Sequence, residues 1–278
     1  MYLRTLLLSL SVLMVGFCLT LYFQTDQSVR SMNFDQYKNL SYNDERSHSL
    51  EDLNQKIAPY KLERILQEVV EKNRLAGEKT RVMELGPGNG RVLMTLKKQF
   101  PSVEFYGINK EKTHTFYRRE SFILTGLKFE LFTKPELDTM DLPFIVFQDL
   151  DFGARIPYEE NKFDLIYSQA TLSQIKYKFE LLSEVLRVLK PGGVSFHTDV
   201  TGVNVYGRGL VMDLWDAMAE VRRRGIEVSV LENRETIRFR KSRTNALFPL
   251  TPHLPLPENL ENIPQELRKP QMNYNLSY

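Results

Sequence analysis

The sequence predicts a doubly wound α/β domain with a mostly parallel sheet, preceded by an N-terminal hydrophobic helix. Short apolar segments alternate with amphipathic ones from Pro59 onward, which is typical of a parallel sheet with helices on both faces. A glycine-rich turn directly follows the first apolar segment. The chain also begins with an uncharged stretch, residues 5–23, that has the length of a membrane span.

Length, composition and charge limit the fold and the partners. The 278 residues suffice for one α/β domain with additional segments. Hydrophobic residues make up 42% of the chain and charged residues 26%, proportions that are typical of a globular protein. The net charge of +2 supplies no strong field for nucleic acid, so the basic clusters at 222–224 and 238–241 are interpreted as solvated faces. The single cysteine excludes an intrachain disulfide, and the four histidines lack the spacing of metal ligands.

The uncharged segment has three interpretations: a signal anchor, a cleaved signal peptide or a buried core helix. Its 19 residues would form a helix of roughly 28 Å, which matches the hydrocarbon core of a bilayer. It lacks the polar face of a core helix, and no small-residue cleavage site follows Phe23. We therefore expect a transmembrane helix, a single-pass membrane anchor, at residues 1–25. A polar linker at 26–55, a globular domain at 56–245 and a proline-rich tail at 246–278 follow.

Hydrophobic periodicity assigns the elements of the domain in order. Leu62, Ile65, Leu66, Val69 and Val70 repeat at helical spacing, and Gly77 is expected to end this first helix. Further helices are predicted at 92–100, 111–122, 179–189 and 210–223. Strands are predicted at 81–85, 104–108, 127–132, 144–148, 163–168 and 194–199, with a closing antiparallel pair at 226–231 and 235–241.

The motif that carries chemistry is the turn after the first strand, Glu84-Leu85-Gly86-Pro87-Gly88-Asn89-Gly90. Glycines permit positive φ and let a ligand approach the backbone, and the helix that follows supplies free N–H groups. The spacing differs from the G-x-G-x-x-G turn of dinucleotide-binding proteins, because the third glycine comes one residue early. The carboxylate of Glu84 would also repel a pyrophosphate, whereas it suits the ammonium group of a cationic ligand.

Two later motifs complete a resemblance to a known family. The sequence FDLIYS occupies 163–168, and RVLKPGG occupies 187–193. In this order, with the glycine turn, they resemble the class I S-adenosylmethionine-dependent methyltransferases across residues 61–241. The resemblance implies a seven-stranded, Rossmann-like sheet with an antiparallel closing strand, and S-adenosylmethionine as cofactor. It assigns cofactor binding to Glu84, Gly86, Gly88, Gly90, Asn109, Asp149, Leu150 and Ser168.

The chain departs from the family pattern at three places. Asn109 stands where the family has an acid for the ribose hydroxyls, so it either binds the ribose more weakly or caps the next helix. Asp149 is the first choice for the adenine contact and Asp151 the second, the alternative being a surface turn acid. No histidine follows the fourth strand at 169–174. His197 ends the next strand and is interpreted as a core histidine, so the catalytic residues stay unassigned.

Three functions are compatible with these features. The first is an active, membrane-anchored methyltransferase acting on a small molecule, lipid or protein side chain. The second is a methyltransferase-like scaffold without catalysis, and the third, an NAD-dependent oxidoreductase, is disfavoured by the glycine spacing. The flanking charges weakly favour an anchor whose domain lies outside the cytosol, which conflicts with the cytosolic origin of the cofactor. Acceptor specificity lies in segments that vary between relatives, so the sequence does not name it.

Overall fold

The computed structural model describes residues 48–109, 119–147, 155–175, 178–200, 214, 221–223, 225–233 and 235–242. The predicted membrane anchor at 1–25 and the proline-rich tail at 246–278 lie outside these ranges. Within them, no helix combines the length and the apolar character that crossing a membrane requires.

A seven-stranded mixed sheet forms the centre of the fold, in the order β3-β2-β1-β4-β5-β7-β6. The five strands from β3 to β5 are parallel, and β7 runs antiparallel to both β5 and β6. The strands are β1 (Arg81–Leu85), β2 (Glu104–Asn109), β3 (Phe144–Phe147), β4 (Phe163–Ser168), β5 (Leu189–His197), β6 (Ile226–Val230) and β7 (Ile237–Lys241). The predicted α/β architecture and its antiparallel closing pair are confirmed.

Helices cover both faces of this sheet, because successive strand residues point to opposite faces. Met83 and Ile166 belong to one buried cluster, which includes Leu182. Their neighbours Val82 and Leu165 belong to the other. The described helices are α1 (Leu50–Lys56), α2 (Leu62–Ala76), α3 (Arg91–Gln99), α4 (Arg119–Lys128), α5 (Lys134–Thr139) and α6 (Lys178–Val188), with a 3₁₀ turn at Leu172–Gln174.

Local sequence sets the ends of several helices. The helix α2 ends at Gly77, whose φ of +69° and N–H bond to the Arg74 carbonyl form the expected left-handed cap. Ser49 and Asp52 form a capping box at the start of α1. Residues 50–55 of this helix belong to the segment predicted to be a linker, and Leu53 on it is completely buried.

One predicted strand, at 127–132, is wrong. The helix α4 runs through Lys128, and the N–H groups of Phe129 and Leu131 bond back to the carbonyls of Thr125 and Gly126. The reason is that Phe122, Ile123 and Leu127 bury one helical face in the core. The short helix α5, with its capping box at Thr133 and Glu136, follows without having been predicted.

The K-P-G-G segment at 190–193 lies inside the strand β5, whereas the sequence predicted a strand only from 194 onward. The helix α6 ends at Val188, and β5 already begins at Leu189. The pairing between β4 and β5 jumps from Leu189 to Val194, so the segment bulges out of the ladder. Only Leu214 and residues 221–223 of the predicted helix at 210–223 are described, and they are helical.

Candidate functional site

The carboxyl ends of four parallel strands meet at one edge of the sheet, where α/β proteins bind their ligands. Leu85, the last residue of β1, pairs in register with Ile108 on one side and Ser168 on the other. Ser168 in turn pairs with His197 at the end of β5. The turn that follows β1 therefore lies between the ends of β2 and β4, the point at which the strand order reverses.

The glycine turn has the backbone that the sequence predicts. Gly86, Gly88 and Gly90 have φ values of +65°, +52° and +74°, which side-chain-bearing residues rarely adopt. A Cβ atom at Gly86 would overlap the Thr171 hydroxyl oxygen, and one at Gly90 would overlap the Phe122 ring. Gly90 is the residue before α3 and offers no side chain to cap the helix. The N-terminus of α3, with its backbone N–H groups, therefore lies beside this turn.

Glu84 lies at the base of the turn and is almost fully buried. Its carboxyl group accepts a hydrogen bond of 3.0 Å from the hydroxyl of Tyr167 on β4. Burial raises the pKa of Glu84 to about 8, and the Tyr167 hydrogen bond only partly opposes this rise. A cationic group placed here would favour the ionised carboxylate and offset its desolvation.

Asn109 is the last residue of β2, at the same edge of the sheet as the glycine turn. Its side chain is buried, and its Nδ2 has no hydrogen-bond partner in the described part of the chain. A buried amide donor without a partner costs free energy, so it fits a ligand hydroxyl at this position. Asp149, Leu150 and Asp151 lie outside the described residues, so their predicted adenine contact stays a prediction.

Ser168 is held by a neighbour that the sequence did not connect to it. The Ser168 hydroxyl lies 2.8 Å from Nδ1 of His197, and both side chains are completely buried. Burial lowers the pKa of His197 to about 3, so the imidazole is neutral at physiological pH. Its Nε2 has no hydrogen-bond partner within the described ranges. The role of Ser168 in cofactor binding stays a prediction.

The segment after β4 contributes residues that the sequence motifs did not indicate. Gln169 is buried, and neither polar atom of its amide has a partner among the residues described. Ala170 has a φ of +53°, a strained value for a residue with a side chain. The hydroxyl of Thr171 donates to the Leu85 carbonyl at 2.9 Å and lies against Gly86. In the sequence, the only sign that pointed to Gln169 was its position directly after a predicted strand.

The helix α1 closes the adjacent side of this edge. The Lys56 ammonium group forms hydrogen bonds of 2.9 and 2.8 Å to both carboxylate oxygens of Asp199, two residues beyond His197. The Lys56 carbonyl accepts bonds from Asn233 and Thr236 in the turn between β6 and β7. The last residue of α1, which is also the first residue of the predicted domain, therefore contacts the chain just beyond β5.

These features fit S-adenosylmethionine. Three positive-φ glycines form the turn at the carboxyl edge of the sheet, and a buried carboxyl group suits an ammonium group. The Nδ2 of Asn109, which has no partner within the described residues, suits a ribose oxygen. A pyrophosphate would instead meet the Glu84 carboxyl group, so a dinucleotide fits less well.

Comparisons with known proteins give one family match and several distant structural similarities. The methyltransferase domain family matches residues 49–244. No curated protein matches the chain. A solved DszA carbon methyltransferase is 16% identical over 64% of this chain and 52% of its own, with a TM-score of 0.44. The [4+2]-cyclase SpnF is 20% identical over 61% of this chain and 59% of its own, with a TM-score of 0.37.

An S-adenosylmethionine-dependent methyltransferase from Aquifex aeolicus is 17% identical over 76% of this chain and 98% of its own, with a TM-score of 0.38. The chain thus matches little more than half the length of DszA and SpnF. All three similarities are too distant to assign a substrate. The family match, by contrast, covers most of the chain and includes the glycine turn, Glu84 and the K-P-G-G segment. The chain belongs to the class I S-adenosylmethionine-dependent methyltransferase family.

Proposed function

We propose that the chain is an active, membrane-anchored methyltransferase that uses S-adenosylmethionine and acts on a small molecule, a lipid or a protein side chain. One observation carries the proposal. Glu84 is buried beside a turn of three positive-φ glycines, where a cationic ligand would offset the cost of its ionisation. The uncharged segment at 5–23 supports the anchor.

Each site residue has a role in the proposed complex. The glycine turn lies against the methionine part of the cofactor, and Glu84 binds its ammonium group through water. Asn109 binds the ribose hydroxyls, and Asp149 with Leu150 lies beside the adenine. Ser168 completes the set at the end of β4. When bound, the cofactor supplies an electrophilic methyl group on a sulfonium ion.

The protein must then hold the acceptor in line with that methyl group and exclude water, since orientation is the main requirement for this transfer. Within the described residues, the Gln169 amide keeps a donor and an acceptor available for this purpose. His197 is a weak base because its pKa is about 3. We therefore assign His197 a structural role, in which it supports Ser168 and the side of the site that faces the acceptor. The acceptor must then carry a nucleophile that is already reactive.

Binding and turnover measurements on the full-length protein in detergent test the proposal. Calorimetry should show saturable binding of S-adenosylhomocysteine and none of NADH. Methyl-labelled S-adenosylmethionine, incubated with the protein and fractionated extracts of the source organism, should give a labelled product. Binding without any labelled product would favour the catalytically inactive scaffold. Saturable binding of NADH alone would overturn the proposed cofactor.

A further inference from the structure

The amino edge of the sheet, opposite to the glycine turn, carries a groove of about 510 Å³. Its apolar lining includes Tyr106, Pro143, Phe144 and Tyr158, and Lys162 lies at its rim. We call these five residues the aromatic groove. The ring centroids of Tyr106 and Phe144 are 6.2 Å apart, and those of Tyr106 and Tyr158 are 5.5 Å apart. The Lys162 ammonium lies 4.6 Å from the Tyr158 ring centroid.

Phe144 makes this groove unusual. Its side chain is 59% exposed, and among the described residues only Leu75 is another large apolar side chain with high exposure. The exposed ring and the two rings beside it form an apolar strip, which is typical of a binding site. The rest of the lining carries charged side chains, among them Lys79, Glu104 and Asp141. The proposed methyl-transfer site does not use this surface, because it lies at the other end of the strands.

The C-terminal tail has a matching sequence pattern. Residues 248–257 read FPLTPHLPLP, so Pro249, Pro252 and Pro255 recur at every third position. A polyproline II helix has three residues per turn, and this spacing therefore places the three prolines on one face. Proline faces of this kind bind to grooves lined with aromatic rings, and the stiff helix loses little conformational entropy on docking.

The chain also leaves the sheet at the correct edge. Because β7 is antiparallel to β5, its last residue, Lys241, lies at the amino edge of the parallel strands. The Lys241 ammonium donates to Oδ1 of Asn161 at 2.8 Å, and Asn161 precedes Lys162 of the aromatic groove. Four strand spacings separate β7 from β2, which is about 19 Å. The eight residues from Ser242 to Pro249, as polyproline II, span about 22 Å between their first and last Cα atoms.

From these observations we infer that residues 249–257 of this chain dock in the aromatic groove as a polyproline II helix. Successive prolines on this face lie about 9.3 Å apart along the helix. Neighbouring ring centroids in the groove are only 5.5 and 6.2 Å apart, so two of the three prolines contact the aromatic groove, and one of them covers Phe144. The tail thereby crosses the amino edge of the sheet from β7 to β3, and the inference is independent of the proposed function.

A proximity test in the full-length protein addresses this docking directly. In a Cys18→Ser background, the pair Ser102→Cys with Thr251→Cys should form an intrachain disulfide under mild oxidation, because Ser102 lines the groove and neither residue belongs to the proposed ring–proline contact. The matched control replaces Leu75, which is also exposed but lies outside the groove, in the pair Leu75→Cys with Thr251→Cys. We expect the groove pair to form its disulfide at least about tenfold faster, because docking raises the local thiol concentration. Equal rates, or disulfides only between two chains, would overturn the inference.

A peptide titration tests the recognition itself. A peptide of residues 246–260 should bind saturably to a chain ending at residue 244, which retains every strand of the sheet. Phe144→Ser in the protein, or alanine at the three prolines of the peptide, should weaken binding at least about fivefold. Leu75→Ser should leave binding unchanged. Absence of binding, or unchanged binding to the Phe144→Ser variant, would contradict docking in this groove.

Discussion

Glu84 is a carboxyl group in a place where its ionisation is unfavourable without a ligand. Burial raises its pKa to about 8, whereas the value in an unfolded chain is 4.5. The free protein therefore holds Glu84 protonated at neutral pH, and an ammonium ligand must displace that proton. The bound proton also affects the stability of the fold. Between pH 4.5 and 8 the native state keeps a proton on Glu84 that the unfolded state releases, so this contribution to the free energy of unfolding is lost as the pH rises through that interval.

This linkage predicts a pH-dependent affinity. Binding of S-adenosylhomocysteine should tighten from pH 6 to about 8, since binding releases the Glu84 proton. It should weaken again above about 8, where an α-amino group loses its own proton. Calorimetry in buffers of different ionisation enthalpy measures the released proton. In the Glu84→Gln variant, which keeps the Tyr167 hydrogen bond, proton release at pH 6.5 should disappear. Unchanged release would mean that Glu84 does not bind the ammonium group.

Asn109 offers a second test at the scale of one side chain. Asn109→Asp removes the Nδ2 donor but offers two charged acceptors to the ribose hydroxyls. We expect the charge-assisted bonds to outweigh the lost donor by on the order of 1 kcal/mol, so cofactor binding should tighten by up to about tenfold. Asn161→Asp is the control, since Asn161 lies at the amino edge and contacts Lys241 instead. Titration of both variants with S-adenosylhomocysteine separates the two interpretations. If Asn109→Asp leaves the affinity unchanged, Asn109 acts as a helix cap and not as a ribose ligand.

At the scale of elements, the turn between β1 and α3 combines a backbone requirement with a spatial one. Gly88→Val should abolish cofactor binding while the domain stays folded, because the added side chain fills ligand space and opposes positive φ. Gly192→Val is the matched control, with a φ of +82° and no atom within 4 Å of a Cβ added there. Both variants should lose on the order of 1–2 kcal/mol of stability. Normal binding by Gly88→Val would show that this turn is not the cofactor site.

The helix α1 gives the second prediction at this scale. Leu53 is completely buried among α2 and sheet residues. Leu53→Ala should therefore lower the free energy of unfolding by about 2–5 kcal/mol, through lost burial and the cavity that remains. Leu75→Ala, at an exposed helix position, should change it by less than about 0.5 kcal/mol. Denaturant unfolding compares the two variants. A similar, small effect of both would place α1 outside the cooperative unit.

For the whole molecule, the prediction to test is that the N-terminal segment anchors the domain to a membrane. Full-length protein should sediment with membranes and resist carbonate extraction, whereas a chain lacking residues 1–25 should stay in the supernatant. In a eukaryotic source, a glycan on Asn39, removed by Asn39→Gln, would place the domain in the lumen and require imported cofactor. Protease digestion of an unglycosylated domain only after permeabilisation would place it in the cytosol. A soluble chain that begins after Phe23 would contradict the anchor.

The sequence by itself determined the elements and the motif. Periodicity identified the strands β1 and β4, because a strand buried between two helical layers is apolar at successive positions. It identified β7 by alternation, because only one face of that strand is buried. The spacing of Glu84 and the three glycines identified the turn, since positive φ and close ligand approach restrict those positions to glycine. These properties are local, so a single stretch of chain contains all the information that they require.

Only the tertiary structure decided which distant residues meet. Tyr167 reaches Glu84 across 83 positions, and Ser168 reaches His197 across 29, through strand order and register. Gln169 is a candidate because the fold buries its side chain, and its amide has no hydrogen-bond partner among the described residues. The segment at 127–132 failed as a strand for the same reason, because its apolar residues suit either geometry until α3 offers them a surface. Hydrophobic periodicity indicates which face of a helix or strand is buried. The element that packs against this face depends on how the whole chain folds.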